Sequence, residues 1–104
     1  MTFPSSTSPR YFFREEHLFE RDRAKLVNDG VSEQEIDVHK LAIEEQIGPD
    51  PFRAPWSVPL NPKDPNGTRV AVSDATPSEP NALLIVFRVV DDMIQLWRVR
   101  RRDD

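Results

Sequence analysis

Five arginines gather near the C-terminus around a tryptophan: Arg88, then Trp97, Arg98, Arg100, Arg101 and Arg102. Guanidinium groups at neighbouring strand positions contact phosphates, and an indole among them can stack on an unpaired base. The same residues also fit a solvated strand end, where charge keeps an open sheet edge from pairing with other chains. Trp97 alone fits a half-buried packing position equally well. Arg69 is a further candidate, because a fixed cationic donor stabilises the pentavalent phosphate of a transition state. Its alternative is an ion pair with one of the helix acids.

Other reactive types are sparse. His17 and His39 are the only imidazoles. His39 follows Glu35 by four residues, so both can face one way on a helix, but two ligands do not complete a metal site. No activated nucleophile or paired carboxylate accompanies either histidine as a general base. The pairs Glu15-Glu16, Glu44-Glu45 and Asp91-Asp92 are adjacent in sequence. On a helix such neighbours diverge by about 100° and cannot act as an acid/base couple. The three glycines, Gly30, Gly48 and Gly67, each sit at a turn, so there is no glycine-rich phosphate loop. No metal and no cofactor are expected.

Charge and proline show how these residues are distributed. The formal net charge is −4, with 14 basic and 18 acidic residues. Residues 14–45 hold ten acids against five bases, while residues 69–104 are balanced and end in the arginine cluster. An acidic total argues against a general nucleic-acid binder. The 104 residues make one domain's worth of chain, and the absence of cysteine excludes disulfides and thiolate metal sites. The longest apolar run, 82–87, is far too short to cross a bilayer. The first residues lack the basic patch and apolar stretch of a secretory signal. A cytoplasmic protein that does not engage membranes is expected. Proline is absent from 10–48 and 81–104 and concentrated between them. Because it fixes φ and lacks an N–H, regular structure belongs to the two clear stretches.

The elements follow from periodicity. Residues 1–9, rich in Ser, Thr and Pro, read as a disordered tail, and 10–104 as one domain. Tyr11-Phe12-Phe13 suits a short strand. Phe19, Leu26 and Val27 mark one face of a helix over 17–29, stopped by Gly30. Ser32-Glu33-Gln34-Glu35 is a capping box that starts a second helix, with Ile36, Lys40, Ile43 and Ile47 along one row and Gly48-Pro49 at its end. The two make a helical hairpin. Thr68 to Val72 reads as a strand, and Leu83 to Val90 and Met93 to Arg100 as a hairpin closed by Asp91-Asp92. A two-residue turn there sets Val89 opposite Ile94 and Phe87 opposite Leu96. Strict alternation then puts Leu83, Ile85, Phe87, Val89, Ile94 and Leu96 in the core, and Leu84, Val86, Arg88, Gln95, Trp97 and Val99 on the other face. The expected class is α+β: a strand, a helical hairpin, then a three-stranded antiparallel sheet.

This order, with Tyr11-Phe12-Phe13, the helical hairpin, the Asp50-Pro51…Pro59-Leu60 exit, Gly67-Thr68-Arg69-Val70 and the closing hairpin of residues 83–103, resembles the RelE/ParE toxin superfamily of bacterial toxin–antitoxin systems. The resemblance implies a small cytoplasmic toxin held in a hetero-oligomer by a cognate antitoxin. Its target would be DNA gyrase, or mRNA on the ribosome. In the cleaving members basic residues on the sheet act with an aromatic or histidine beyond the last strand. Arg69 and Arg98 match the basic positions and would be catalytic in a ribonuclease. No Tyr or His follows the last strand, and in that the chain is more similar to the gyrase-directed branch. The reading favoured is therefore a toxin acting on a protein target, with Arg88, Trp97, Arg98, Arg100, Arg101 and Arg102 as the binding surface. The alternatives are a ribosome-dependent mRNA endonuclease and a non-toxic interaction module of the same fold.

Overall fold

The computed structural model describes residues 11–103; the expected tail at 1–9 lies outside them. The elements are β1 (Phe12–Glu15), α1 (His17–Asn28), α2 (Glu33–Ile47), β2 (Val58–Pro59), β3 (Arg69–Val72), β4 (Leu83–Val90) and β5 (Met93–Arg101). They confirm the α+β class. The three-stranded antiparallel sheet is corrected to a five-stranded mixed sheet of order β1-β5-β4-β3-β2. Two additions account for the difference. β1 joins in parallel alongside β5, from Phe12 opposite Met93 to Glu15 opposite Leu96, with the helices as the long connection such a pairing requires. β2 forms inside the proline-rich stretch, where Pro59 sits on the edge strand that tolerates a residue without an N–H.

The helix boundaries have local causes. At the end of α1, Gly30 adopts φ 103°, its amide donates to Val27 O at 3.1 Å and the Val31 amide donates to Leu26 O at 3.0 Å. This is a Schellman motif, and the accompanying apolar contact is Leu26 with Val31, both in the core. At the start of α2 the Ser32 Oγ accepts from the Glu35 amide at 3.1 Å. The other half of the expected capping box does not form. The Glu35 carboxylate instead accepts from the Asn81 amide at 2.8 Å and from Asn81 Nδ2 at 3.0 Å, tying α2 to the segment before β4.

Both helices cover one face of the sheet: α1 lies along β5, and α2 across β3 and β4. The core unites Phe19 and Leu26 of α1, Ile36, Ile43 and Ile47 of α2, and Ala71, Leu83, Ile85, Phe87, Ile94, Leu96 and Val99 of the sheet. Val27, expected on the same face as Leu26, is exposed instead. The buried row of α2 also holds His39, whose Nε2 pairs with Glu79 O at 2.9 Å. Lys40 binds Glu15 of β1 at 2.7 Å and Glu44 at 3.3 Å. Burial works against the Lys40 charge, but the two carboxylates outweigh it and hold its pKa above the ordinary value.

The hairpin keeps its expected facing pairs, Val89 with Ile94 and Phe87 with Leu96. Beyond them the alternation breaks. Val86 faces Arg98, so Trp97 is an extra residue in β5, a β-bulge. The consequence is a change of face for everything that follows. Val99, expected on the outer face, is buried in the core, and Arg98 and Arg100 take outward positions opposite Val86 and Leu84. No helix among the described residues is long and apolar enough to cross a membrane.

Candidate functional site

The side of the sheet away from the core carries Val70 and Val72 of β3, Leu84, Val86 and Arg88 of β4, and Gln95, Trp97, Arg98 and Arg100 of β5. Strict alternation would separate Arg88 and Trp97 from Arg98 and Arg100. The bulge brings all four to one face. Trp97 is 39% exposed, and its Nε1 donates to Gln95 Oε1 at 3.2 Å. The other two arginines of the C-terminal cluster lie elsewhere. Arg101 stands opposite Leu83, at a position of core-facing register. Arg102 turns toward β3, donating to Ser73 O at 2.9 Å and to Asp74 Oδ1 at 3.0 Å.

Arg69 is not on this face either. It is 4% exposed, on the core side at the start of β3. Its Nε donates to Ser57 Oγ at 2.8 Å, Nη1 to Pro65 O at 2.7 Å, and Nη2 to Phe52 O at 3.2 Å and Ser57 O at 3.1 Å. The guanidinium carbon lies 5.4 Å from the centre of the Phe52 ring. Burial pushes its pKa down, and nearby Asp50 partly opposes this. Neither an anion nor a helix acid is its partner. It binds the carbonyls of the proline-rich loop.

A groove of about 470 Å³ runs between α1 and the outer face. It is lined by Asp22, Lys25 and Asp29 of α1 and by Leu60, over a sheet floor that includes Leu84, Val86, Arg98 and Arg100. Its polar focus is Asp22. The Arg98 Nε donates to Asp22 Oδ2 at 2.7 Å and Nη2 to Oδ1 at 3.0 Å, while the Val99 amide donates to Oδ2 at 3.1 Å. The last contact is an edge effect. β1 stops pairing at Leu96, so the β5 edge beyond it needs another acceptor, and α1 supplies one.

Partial burial opposes the Asp22 charge, yet the Arg98 and Val99 donors outweigh it and hold the carboxyl below its ordinary value of 3.8. The folded state thus releases the Asp22 proton more readily than the unfolded chain does. The stability this contributes is present above pH 3.8 and is lost as pH falls through the lower folded value. In urea titrations the stability gap between wild type and Asp22→Asn is expected to narrow below about pH 4. A gap independent of pH would remove the ionised carboxylate from the account.

Asp22 is a site residue that composition and clustering do not reveal. A signal was nevertheless present, since Asp22 is three residues after Phe19 and four before Leu26, an acid within an apolar stripe. Among the described residues, Arg88 and Arg100 make no side-chain ion pair or hydrogen bond. Arg98, Arg102 and Arg14 each hold a carboxylate. Neither histidine serves the groove: His39 is buried between α2 and Glu79, and His17 opens α1. No group of three His, Cys, Asp or Glu side chains among the described residues could hold a metal ion. The arrangement offers an apolar floor and cations for docking, without an acid/base pair beside them.

No protein-family model matches the chain, and no curated protein matches it. Solved structures that resemble it include two from Helicobacter pylori. One is a copper-bound mutant toxin from Helicobacter pylori, 18% identical over 89% of this chain and 96% of that one, with a TM-score of 0.54. The other is a conserved hypothetical protein from Helicobacter pylori, 17% identical over 90% and 97%, also with a TM-score of 0.54. The chain has the α+β fold of that Helicobacter pylori toxin.

Proposed function

We propose that the protein is the toxin-like component of a bacterial toxin–antitoxin module. It acts by docking a protein target, such as DNA gyrase, on the outer face of its sheet, and it is neutralised in a hetero-oligomer with its antitoxin. The likeness in fold to a toxin supports the first part. One observation supports docking over RNA cleavage. The outer face presents aliphatic side chains with Trp97, Arg88 and Arg100, while Arg98 is neutralised by Asp22 and both histidines lie elsewhere. Cleavage needs groups that move protons beside the phosphate. Docking needs apolar area with a charged rim.

Induced expression in a bacterial host is expected to arrest growth. Charge reversal at Arg88 and Arg100 together should relieve the arrest at equal soluble levels, because both cations lie outside the core. mRNA cut within codons on purified ribosomes would replace docking with cleavage as the activity. Unimpaired growth at confirmed soluble expression would leave an interaction module of the same fold.

A further inference from the structure

We infer that Asp22 is the specificity-determining residue of the outer face: its carboxylate fills the Arg98 fork as a phosphate would, and so keeps the groove closed to polyanionic strands. The inference rests on the outer face being the working surface, and it names what that surface rejects.

The geometry is that of anion recognition carried out internally. Two parallel N–H···O bonds, at 2.7 and 3.0 Å, join guanidinium and carboxylate edge to edge. Such a fork suits a carboxylate or a phosphate equally well. The Arg98 side chain is 54% exposed, so solvent reaches it, but its Nε–Nη2 edge, one of the two that can grip a phosphate through paired bonds, is occupied. Asp22 is better fixed than a surface acid. Its side chain is 18% exposed, it stands on α1 between the buried Phe19 and Leu26, and the Val99 amide supplies a third donor. A phosphate that takes this edge must therefore displace a carboxylate held by three hydrogen bonds and a helix.

Charge in the groove points the same way. Lys25, Arg98 and Arg100 line it against Asp22 and Asp29, an excess of one positive charge. Without the Asp22 charge the excess becomes two, and the freed guanidinium lies two residues from Arg100 along the same face. A strand of RNA gains from each phosphate it neutralises, whereas a protein partner gains chiefly from the apolar floor. One internal acid thus biases the face toward protein.

The test is a titration of the full chain with a fluorescent 20-nucleotide single-stranded RNA, followed by anisotropy across a salt series. Asp22→Asn keeps an oxygen for the Val99 amide but removes the charge. It is expected to bind the RNA roughly tenfold tighter at low salt, with a salt slope steeper by about 0.7, one added phosphate contact. Arg98→Gln alone should leave the weak wild-type binding within about twofold, because its fork is already filled. The double variant Asp22→Asn/Arg98→Gln should return to the wild-type level. Asp29→Asn, which removes an equal charge from the same groove, should change affinity less than about twofold. If Asp22→Asn does not fold, Asp22→Ser serves, since its hydroxyl is too short to bridge the guanidinium.

Wild-type affinity in the Asp22 variant would overturn the inference. So would a gain that survives in the double variant or is matched by Asp29→Asn, either of which makes the effect net charge alone. The docking function itself is decided separately, by growth arrest and its relief through Arg88 and Arg100. Neither of those residues takes part in the Asp22 pairing.

Discussion

Arg69→Ala is expected to lose about 3–5 kcal/mol of stability, the scale of breaking a buried, hydrogen-bonded charge site. The guanidinium gathers three backbone carbonyls, of Phe52, Ser57 and Pro65, and one hydroxyl, Ser57 Oγ. That hydroxyl passes the network on by donating to Pro51 O. The loop between α2 and β3 contains six prolines between 49 and 65, so it cannot satisfy itself with backbone ladders. Arg69 supplies the donors the prolines lack. Its loss strands buried carbonyls, and the β2 edge strand should loosen with the loop because Leu60 and Val58 depend on the same chain path. Arg69→Lys offers a single point of donation where the site needs a planar fork. It should recover less than half of the loss. Urea denaturation gives the magnitude, and limited proteolysis within 52–66 locates it. Stability within about 1 kcal/mol of wild type would show the network to be incidental and return Arg69 to the candidate site.

That role explains why the residue is hard to read from sequence. A cation at a strand entry invites a functional or ion-pair interpretation, because burial without an acid is uncommon. The local sequence says nothing about the carbonyls waiting 12 to 17 positions earlier. The same holds at Asp22 and His39. Each occupies a position within an apolar helical stripe, and each answers a backbone group from another part of the chain: the Val99 amide for Asp22, Glu79 O for His39. A polar residue inside an apolar stripe is legible as an exception. Its partner is not, because the partner is fixed by topology.

What was legible depended on local chemistry. Gly30 and Ser32 end and start helices through contacts within six residues, and Asp91-Asp92 closes a hairpin whose inner pairs follow directly. Asp91 takes φ 56°, a left-handed conformation that aspartate tolerates better than most residues. The parallel β1–β5 pairing was not legible, since nothing in Phe12–Glu15 names a partner about eighty residues away. β2 was hidden by its own proline. The candidate site shows both limits. Its arginines and tryptophan are visible as a cluster, but which of them share a face is decided by one bulge, and the acid that neutralises Arg98 comes from α1.

The bulge makes a sharper test possible, because two deletions of one residue have opposite expected outcomes. Deleting Trp97 removes the extra residue itself. Leu96 stays opposite Phe87, Arg98 opposite Val86 and Val99 opposite Ile85, so every remaining side chain keeps its face and the β1 pairing is untouched. The expected cost is below about 2 kcal/mol, that of one half-exposed side chain and some local twist. Deleting Gln95 produces a chain of equal length whose register from Arg98 onward is also regular. The difference is confined to the two positions opposite Arg88 and Phe87. Leu96, fully buried in the native core, moves to the outer face, and Trp97 is driven inward opposite Phe87. Losing Leu96 from the core costs about 2–3 kcal/mol, and forcing an indole into its place adds about 1–3 kcal/mol of overpacking. The β1 register opposite Gln95 is lost as well. Thermal melts should therefore place the Trp97 deletion near wild type and the Gln95 deletion far below it or unfolded. Equal destabilisation by the two would mean that Trp97 is not the extra residue, and that the outer face carrying Arg88, Arg98 and Arg100 is set by something other than the bulge.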